Sequence, residues 1–400
     1  MKIWRLANHS PELQISVHTA VNLIEIISKN KRMVPMKLKD LHDVPLKQKK
    51  VLLYADFNVP IIDGKIVDTF RIEKTWPTIV HILSREAELL VIVSHLGRPD
   101  AHEKECFKEG ASGLKHTLLP VYEWLSLRMS IAFARDLDGL GEKKGAVLLE
   151  NTRLYDKAYL IQELSFVDLV VFDGFSVAHR PLLIPGDKKV YAGLLMRAEL
   201  QRRVNNFDLV IMGGKKITDK MALIKHLSFK NIFFGGGMSF SILKQKNVPI
   251  GSSFHEDIDY QELLSSHAEQ AFTLPNDFLV RKGDKYKVVD KIDNGWMGVD
   301  IGPKSIKALK KLIESSKCIF WNGPIGMFED EECANGTMQL VKLLESAEKN
   351  GKYVLVGGGE TAYAARIFGQ LEHVSTGGGA LLSYMEGIDM PGLNALEREH

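Results

Sequence analysis

The sequence predicts an α/β protein of two domains with parallel-sheet cores, and three observations predict it. Its 400 residues exceed what one hydrophobic core usually organises. Short apolar runs alternate with helically spaced segments in both halves, the pattern of βαβ units and parallel sheets. In the second half, four such runs end at once in glycines or in Asn-Gly-Pro. Open α/β sheets bind ligands just beyond the carboxyl ends of their strands, where glycine loops let backbone N–H groups approach.

The elements follow in order. Ala20–Ile27 is apolar but broken by Asn22 and Glu25, so it reads as an amphipathic helix rather than a signal-peptide core. Val51–Ala55, Leu89–Val93, Ala146–Leu149 and Leu169–Phe172 read as buried strands. Between the first two, Ile72, Trp76, Ile79, Ile82 and Leu83 recur at helical spacing and predict a helix over Arg71–Arg85. A segment rich in Leu, Arg and Glu, Ala192–Asn206, predicts a helix connecting the halves. Beyond it, Asp208–Met212, Asn231–Phe234, Cys318–Trp321 and Tyr353–Val356 read as the strands that run into the glycine loops.

Composition excludes several classes of function. Fifty-two Lys and Arg against 50 Asp and Glu leave a net charge of only +2, unlike a general polyanion binder, so no nucleic-acid partner is expected. The three cysteines, Cys106, Cys318 and Cys333, lack CxxC spacing and predict neither a zinc site nor a disulfide framework. A reducing, cytoplasmic setting fits them. No apolar run has the length of a membrane span, and no membrane partner is expected.

The motifs carry anion chemistry. Gly213-Gly214-Lys215-Lys216 follows a strand, and Lys216 and Lys220 are four apart; a helix starting there would put both ammonium groups on one face. Alone, such a pair is more commonly a solvated basic turn. The triplets Gly235–Gly237 and Gly377–Gly379 are equally compatible with tight turns. Gly357-Gly358-Gly359-Glu360-Thr361 opening a helix offers free N–H groups, a hydroxyl and a carboxylate able to hold Mg²⁺. In the first half, Arg71, His95, Arg98, Arg153, His179 and Arg180 lie at strand ends or helix starts. Singly each reads as a surface charge; together they form a dispersed basic set suited to an anionic small molecule.

These motifs occur in the order of one family. Asp56-Phe57-Asn58-Val59-Pro60, Ser94-His95-Leu96-Gly97-Arg98-Pro99, Leu149-Glu150-Asn151-Thr152-Arg153 and Ala178-His179-Arg180 are followed by Gly213-Gly214, Lys216 and Asp219-Lys220. Then come Gly235-Gly236-Gly237-Met238, Asp300-Ile301-Gly302-Pro303-Lys304, Trp321-Asn322-Gly323-Pro324 and Ser375-Thr376-Gly377-Gly378-Gly379. From about residue 37 onward the chain resembles the phosphoglycerate kinases. The resemblance implies two Rossmann-like domains hinged around a cleft. Residues 36–192 would bind 3-phosphoglycerate or 1,3-bisphosphoglycerate, and 193–206 would be the connector helix. Residues 207–380 would bind Mg-ADP or Mg-ATP, and 381–400 would return to the first domain. Residues 1–35 match nothing and stand as an extension. A monomer is implied.

The resemblance also implies roles. Asp56, Asn58, Arg71, His95, Arg98, Arg153, His179 and Arg180 would hold the glycerate ligand. Arg71, Lys216, Lys220, Gly378 and Gly379 would face the migrating phosphoryl group. Gly213, Gly236, Gly237, Asn322, Pro324, Gly326 and Glu329 would line the nucleotide pocket, with Lys216, Gly358, Gly359, Glu360 and Thr361 at the phosphates and Glu360 as the metal ligand. A phosphoryl group in transit needs alignment, fixed positive charge and N–H donors rather than a covalent intermediate, which suits this residue set.

The sequence departs from the family pattern at several positions. Tyr54 stands for an arginine, Leu182 for a histidine, Phe172 for an asparagine, Lys215 for an alanine and Glu360 for an aspartate. Leu381 and Ser383 replace a serine and a glutamate. These changes thin the basic patch and motivate a rival reading, a non-catalytic descendant that binds nucleotide or metabolite. Arg71, Lys216 and Lys220 are all retained, which favours a working kinase.

Overall fold

The computed structural model describes residues 38–201, 206–258 and 272–397. The proposed extension 1–35, with its helix at 20–27, lies outside them. In the first half, the strands are β1 (Lys50–Tyr54), the short hairpin β2 (Ile61–Ile62) and β3 (Lys65–Ile66), β4 (Leu89–Val93), β5 (Ala132–Ala134), β6 (Gly145–Leu149), β7 (Leu169–Phe172) and β8 (Val190–Ala192). Six of these form an all-parallel sheet in the order β5-β6-β4-β1-β7-β8. β4 and β7 are buried along their whole length, as strands covered on both faces must be. The sheet's order reverses beside β1, between β4 on one side and β7 on the other, which opens a crevice at the carboxyl ends.

The second half repeats this plan with β9 (Asn206–Met212), β10 (Ser228–Phe234), β11 (Phe272–Thr273), β15 (Cys318–Asn322) and β16 (Tyr353–Gly357), parallel in the order β11-β10-β9-β15-β16. A separate antiparallel sheet of β12 (Phe278–Lys282), β13 (Lys285–Val289) and β14 (Met297–Ile301) flanks it. Both halves are thus Rossmann-like α/β units with parallel cores, joined by the helix Leu194–Gln201.

That connector is shorter than the sequence suggests. Ala192 ends β8, where it pairs with Phe172, and Gly193 donates its N–H to the Phe172 carbonyl at 2.9 Å. Asn206 already belongs to β9, and residues 202–205 lie outside the described set. Sheet pairing claims both ends of the segment, and among the described residues the helix spans Leu194–Gln201.

The chain's last described residues pack on the first half. Leu396 bridges Val190, the Glu397 N–H donates to the Val190 carbonyl at 2.8 Å, and Gly392 N–H donates to the Ala178 carbonyl at 2.9 Å. One buried apolar cluster runs from Leu52 and Val91 through Met196 and Leu200 to Phe207 and Phe320, so the connector is packed into both halves. The halves also meet across the crevice mouth. Arg366 on the helix Gly359–Phe368 pairs with Asp68 and lies 4.3 Å over the Phe70 ring, and Phe70 packs against the core of the second half.

Candidate active site

At the carboxyl end of the first sheet, the loops after β1, β4, β6 and β7 each deliver part of one basic pocket of about 280 Å³. Arg71, His95, Arg98, Arg153, His179 and Arg180 line it with Asn58, and Gly377–Gly379 arrive from the other half. Asp56, 5% exposed, organises the floor. Its carboxylate takes Arg71 Nη1 at 2.6 Å, the Ser176 hydroxyl and the Asn58 N–H at 3.0 Å. Asn58 Oδ1 accepts from Gly97 N–H at 2.9 Å, and Arg153 donates to the Gly97 carbonyl. Arg71 is therefore fixed by one buried acid and Arg153 by a backbone carbonyl, both in the lining of the pocket.

His95 lies at the centre of this charge. Burial lowers its pKa to about 4, neighbouring Arg153, Arg180 and Arg71 push the same way, and Asp56 opposes them. It is a neutral imidazole at physiological pH. Behind the pocket, Glu150 accepts from the Thr117 hydroxyl and Leu118 N–H, both at 2.6 Å, while Asn151 bridges the Leu96 and His116 carbonyls at 2.7 and 2.8 Å. Asn151 thus holds the loop that carries His95 and Arg98, and Glu150 the neighbouring Thr117–Leu118 segment.

In the second half, four glycine loops converge at neighbouring strand ends. Gly213 N–H donates to the Asn322 carbonyl at 2.8 Å, Gly214 N–H to the Pro324 carbonyl at 2.7 Å and Gly236 N–H to the Ile325 carbonyl at 3.1 Å. The packing leaves no room for side chains: a Cβ on Gly213 would sit 2.1 Å from the Pro324 oxygen, and one on Gly323 2.2 Å from the Gly213 oxygen. Beside these loops opens a largely apolar cavity of about 440 Å³, lined by Gly236, Gly237, Pro324, Gly326, Glu329 and Glu360 and walled by Phe240, Phe254 and Met297. A planar base with a polar tail suits such a lining.

A third cavity, about 370 Å³, joins the two. Arg71, Asn58 and Asp68 enter it from one side, and Glu329, Gly359, Glu360, Arg366 and Gly378 from the other. Lys220 stands close enough to Asp219, Glu360 and Glu386 for their charges to raise its pKa, although burial prevails and lowers it. Among the described residues no group of three or more His, Cys, Asp or Glu gathers to hold a metal. Glu360 is a single carboxylate in the first turn of its helix, facing both cavities, which fits Mg²⁺ only if a bound ligand's phosphates and water complete the shell.

The sequence profile of the phosphoglycerate kinases matches residues 41–388. The chain belongs to the phosphoglycerate kinase family. It is 35% identical over 413 residues to the phosphoglycerate kinase of Corynebacterium kroppenstedtii, covering 92% of this chain and all of the relative. It is also 35% identical to that of Thermosipho africanus, covering 90% of this chain and 98% of the relative. The solved phosphoglycerate kinase structure from Coxiella burnetii superposes with a TM-score of 0.75 at 29% identity, covering 90% of this chain and 98% of the other. The Pyrococcus horikoshii enzyme shares the fold with a TM-score of 0.73 at 24% identity, covering 89% and 98%.

Some expected site residues sit differently from the simple motif reading. Lys216 and Lys220 do not share a helix face: a 3-10 turn occupies Thr218–Lys220 and the α-helix begins at Met221, so Lys216 precedes both. Lys216 is exposed, outside the lining of the cavities described above. Asn322 and Thr361 are buried behind the loops, where Asn322 donates to the Gly357 carbonyl and the Thr361 hydroxyl accepts from Gly323 N–H, both at 2.7 Å. Gly213 is likewise enclosed. These three form the frame that the lining loops rest on. Ser176, which lines the basic pocket and donates to Asp56, escaped the sequence reading because an uncharged hydroxyl carries no distinguishing pattern.

The departures from the family pattern also find places. Tyr54 and Leu182 pack against the cluster that contains Phe172, with the Tyr54 and Phe172 rings 6.0 Å apart edge to face. Tyr54 remains near Arg153 and Arg180, whose charges partly offset the rise in its pKa from burial. Lys215 reaches 4.7 Å over the Phe254 ring at the nucleotide-sized cavity.

Proposed function

We propose that the chain catalyses reversible phosphoryl transfer between 1,3-bisphosphoglycerate and ADP, giving 3-phosphoglycerate and ATP. The observation that carries this reading is the shared crevice: Arg71 belongs to the lining of both the basic pocket and the middle cavity, and Glu360 to both the middle cavity and the base-sized pocket. One continuous path therefore leads from a site for a small polyanion to a site for a nucleotide. In this reading residues 36–192 bind the glycerate, 207–380 bind the nucleotide, and 193–206 connect them.

The basic residues grip the glycerate phosphate and carboxylate, and Arg71 stays aligned through its bond to Asp56. Lys220, Lys216 and the backbone N–H groups of Gly378 and Gly379 neutralise the phosphoryl oxygens in transit. Glu360 and the nucleotide phosphates would hold Mg²⁺, which supplies charge neutralisation of the β- and γ-oxygens. Gly377–Gly379 is tied to the connector by Glu199, which accepts from the Ser375 hydroxyl at 2.8 Å and Thr376 N–H at 2.7 Å. Both halves of the site come from a single chain, which fits a monomer. The three cysteines are free thiols, which fits a reducing cytoplasm.

A coupled assay with Mg-ATP and 3-phosphoglycerate tests the reading. Turnover is expected, and Lys220→Ala should lower kcat about a hundredfold or more by removing a charge aimed at the transition state. Nucleotide binding without any turnover in the unaltered chain would restore the non-catalytic alternative.

A further inference from the structure

The segment from Lys216 to Lys220 carries two proposed catalytic cations, yet little of its own structure holds it. It leaves β9 through two glycines, makes one 3-10 turn and enters a helix of only six residues. Its strongest tether comes from elsewhere in the sequence. The Glu256 carboxylate accepts Ile217 N–H at 2.7 Å, Thr218 N–H at 3.1 Å and the Thr218 hydroxyl at 2.8 Å. Glu256 is itself fixed, because its own N–H donates at 2.9 Å to the hydroxyl of Ser241, buried in the helix Gly236–Gln245. The bonds from Ile217 and Thr218, with the nearby Lys216 charge, hold its pKa below the usual carboxylate range against the effect of burial. The same loop supports Lys215 through the Phe254 ring.

We propose that Glu256 is a positioning residue for phosphoryl transfer, acting through the loop that bears Lys216 and Lys220. This rests on the phosphoryl-transfer reading above. Its carboxylate bonds the two residues that follow Lys216, and so sets where both lysines stand relative to Glu360 and Arg71. The acceptor must be a bidentate side chain of this length: one oxygen takes two backbone N–H groups and the other takes a hydroxyl. A carboxamide can reproduce that pattern, with its oxygen towards the N–H pair and its NH₂ towards the Thr218 oxygen.

The experiment compares wild type, Glu256→Ala and Glu256→Gln in the coupled assay, with nucleotide affinity by calorimetry and amide exchange at Ile217 and Thr218. Glu256→Ala should lose about tenfold to a hundredfold in kcat, the cost of catalytic groups displaced by an ångström, with nucleotide affinity changed less than threefold. Glu256→Gln should recover most of that loss, and exchange at the two amides should rise at least about tenfold in the alanine variant only. Equal kcat in wild type and Glu256→Ala would overturn the proposal, as would a kcat loss matched by lost nucleotide affinity or left unrescued by glutamine. Silence of the wild type would instead count against the kinase reading. The clamp would then be judged by the amide exchange, and unchanged exchange in Glu256→Ala would overturn it independently.

Discussion

At the scale of single residues, the basic pocket holds one histidine uncharged at physiological pH. His95 is buried among Arg71, Arg153 and Arg180 and titrates at about 4 instead of 6.5. A folded-state pKa below the unfolded value makes its contribution to stability complete above about pH 6.5 and lost as pH falls towards 4. A bound phosphate or carboxylate beside it would favour the imidazolium and raise its pKa. Binding of 3-phosphoglycerate near pH 5.5 should then take up a fraction of a proton, fading to none by about pH 8. Calorimetry in two buffers of different ionisation enthalpy reads that uptake directly; identical heats at the acid pH would remove His95 from the ligand's neighbourhood. The charged residues of this pocket were legible in the sequence because each sits just past a strand end or, for Arg71, at a helix start. Ser176 was not, since its role depends on Asp56, 120 residues earlier, lying across from it.

At the scale of elements, legibility followed burial. β4 and β7, buried on both faces, appear in the sequence as unbroken apolar runs, and their ends were readable to the residue. The antiparallel β12 mixes buried and exposed positions, β13 has no buried position, and both carry lysines, so they resemble loops until they pair. The three-residue β5 and β8 are too short to show any period. The connector helix illustrates what remains hidden: the N–H of Met196 in its first turn donates at 3.0 Å to Asp173 from the end of β7. Asp173 is fully buried, its Oδ2 has no partner, and burial raises its pKa to about 7. Because the folded-state value exceeds the unfolded 3.8, folding favours the protonated acid, and stability declines as pH rises from about 4 to about 7. Asp173→Asn keeps the acceptor for Met196 and removes the charge. Relative to wild type it should gain on the order of 2–4 kcal/mol between pH 4 and pH 8. Urea unfolding of both proteins at the two pH values checks this, and parallel pH dependences would show that Asp173 ionises as readily in the folded protein as in the unfolded chain.

At the scale of the whole molecule, the two halves share more than the connector. Asp68 and Phe70 come from the loop and helix start just before Arg71, while Arg366 comes from the helix that begins beside Glu360. The ion pair, the cation over the ring and the packing of Phe70 on the opposite core therefore join the two elements that carry the proposed catalytic groups. Both charged side chains are 24% exposed, so solvent screens the pair only in part, and burial lowers the Arg366 pKa. None of this was legible in the sequence, because 298 residues separate the partners and neither lies in a motif. Asp68→Ala and Arg366→Ala, alone and together, should give a coupling of about 1–2 kcal/mol in denaturant unfolding. The same contact bears on activity, because separating the halves moves Arg71 away from Glu360. Either single variant should then lower kcat several-fold and enlarge the radius of gyration in solution scattering, and high salt should reproduce part of the effect in wild type. If the two substitutions were strictly additive and left scattering unchanged, the crevice would be held closed by the connector and Glu199 alone.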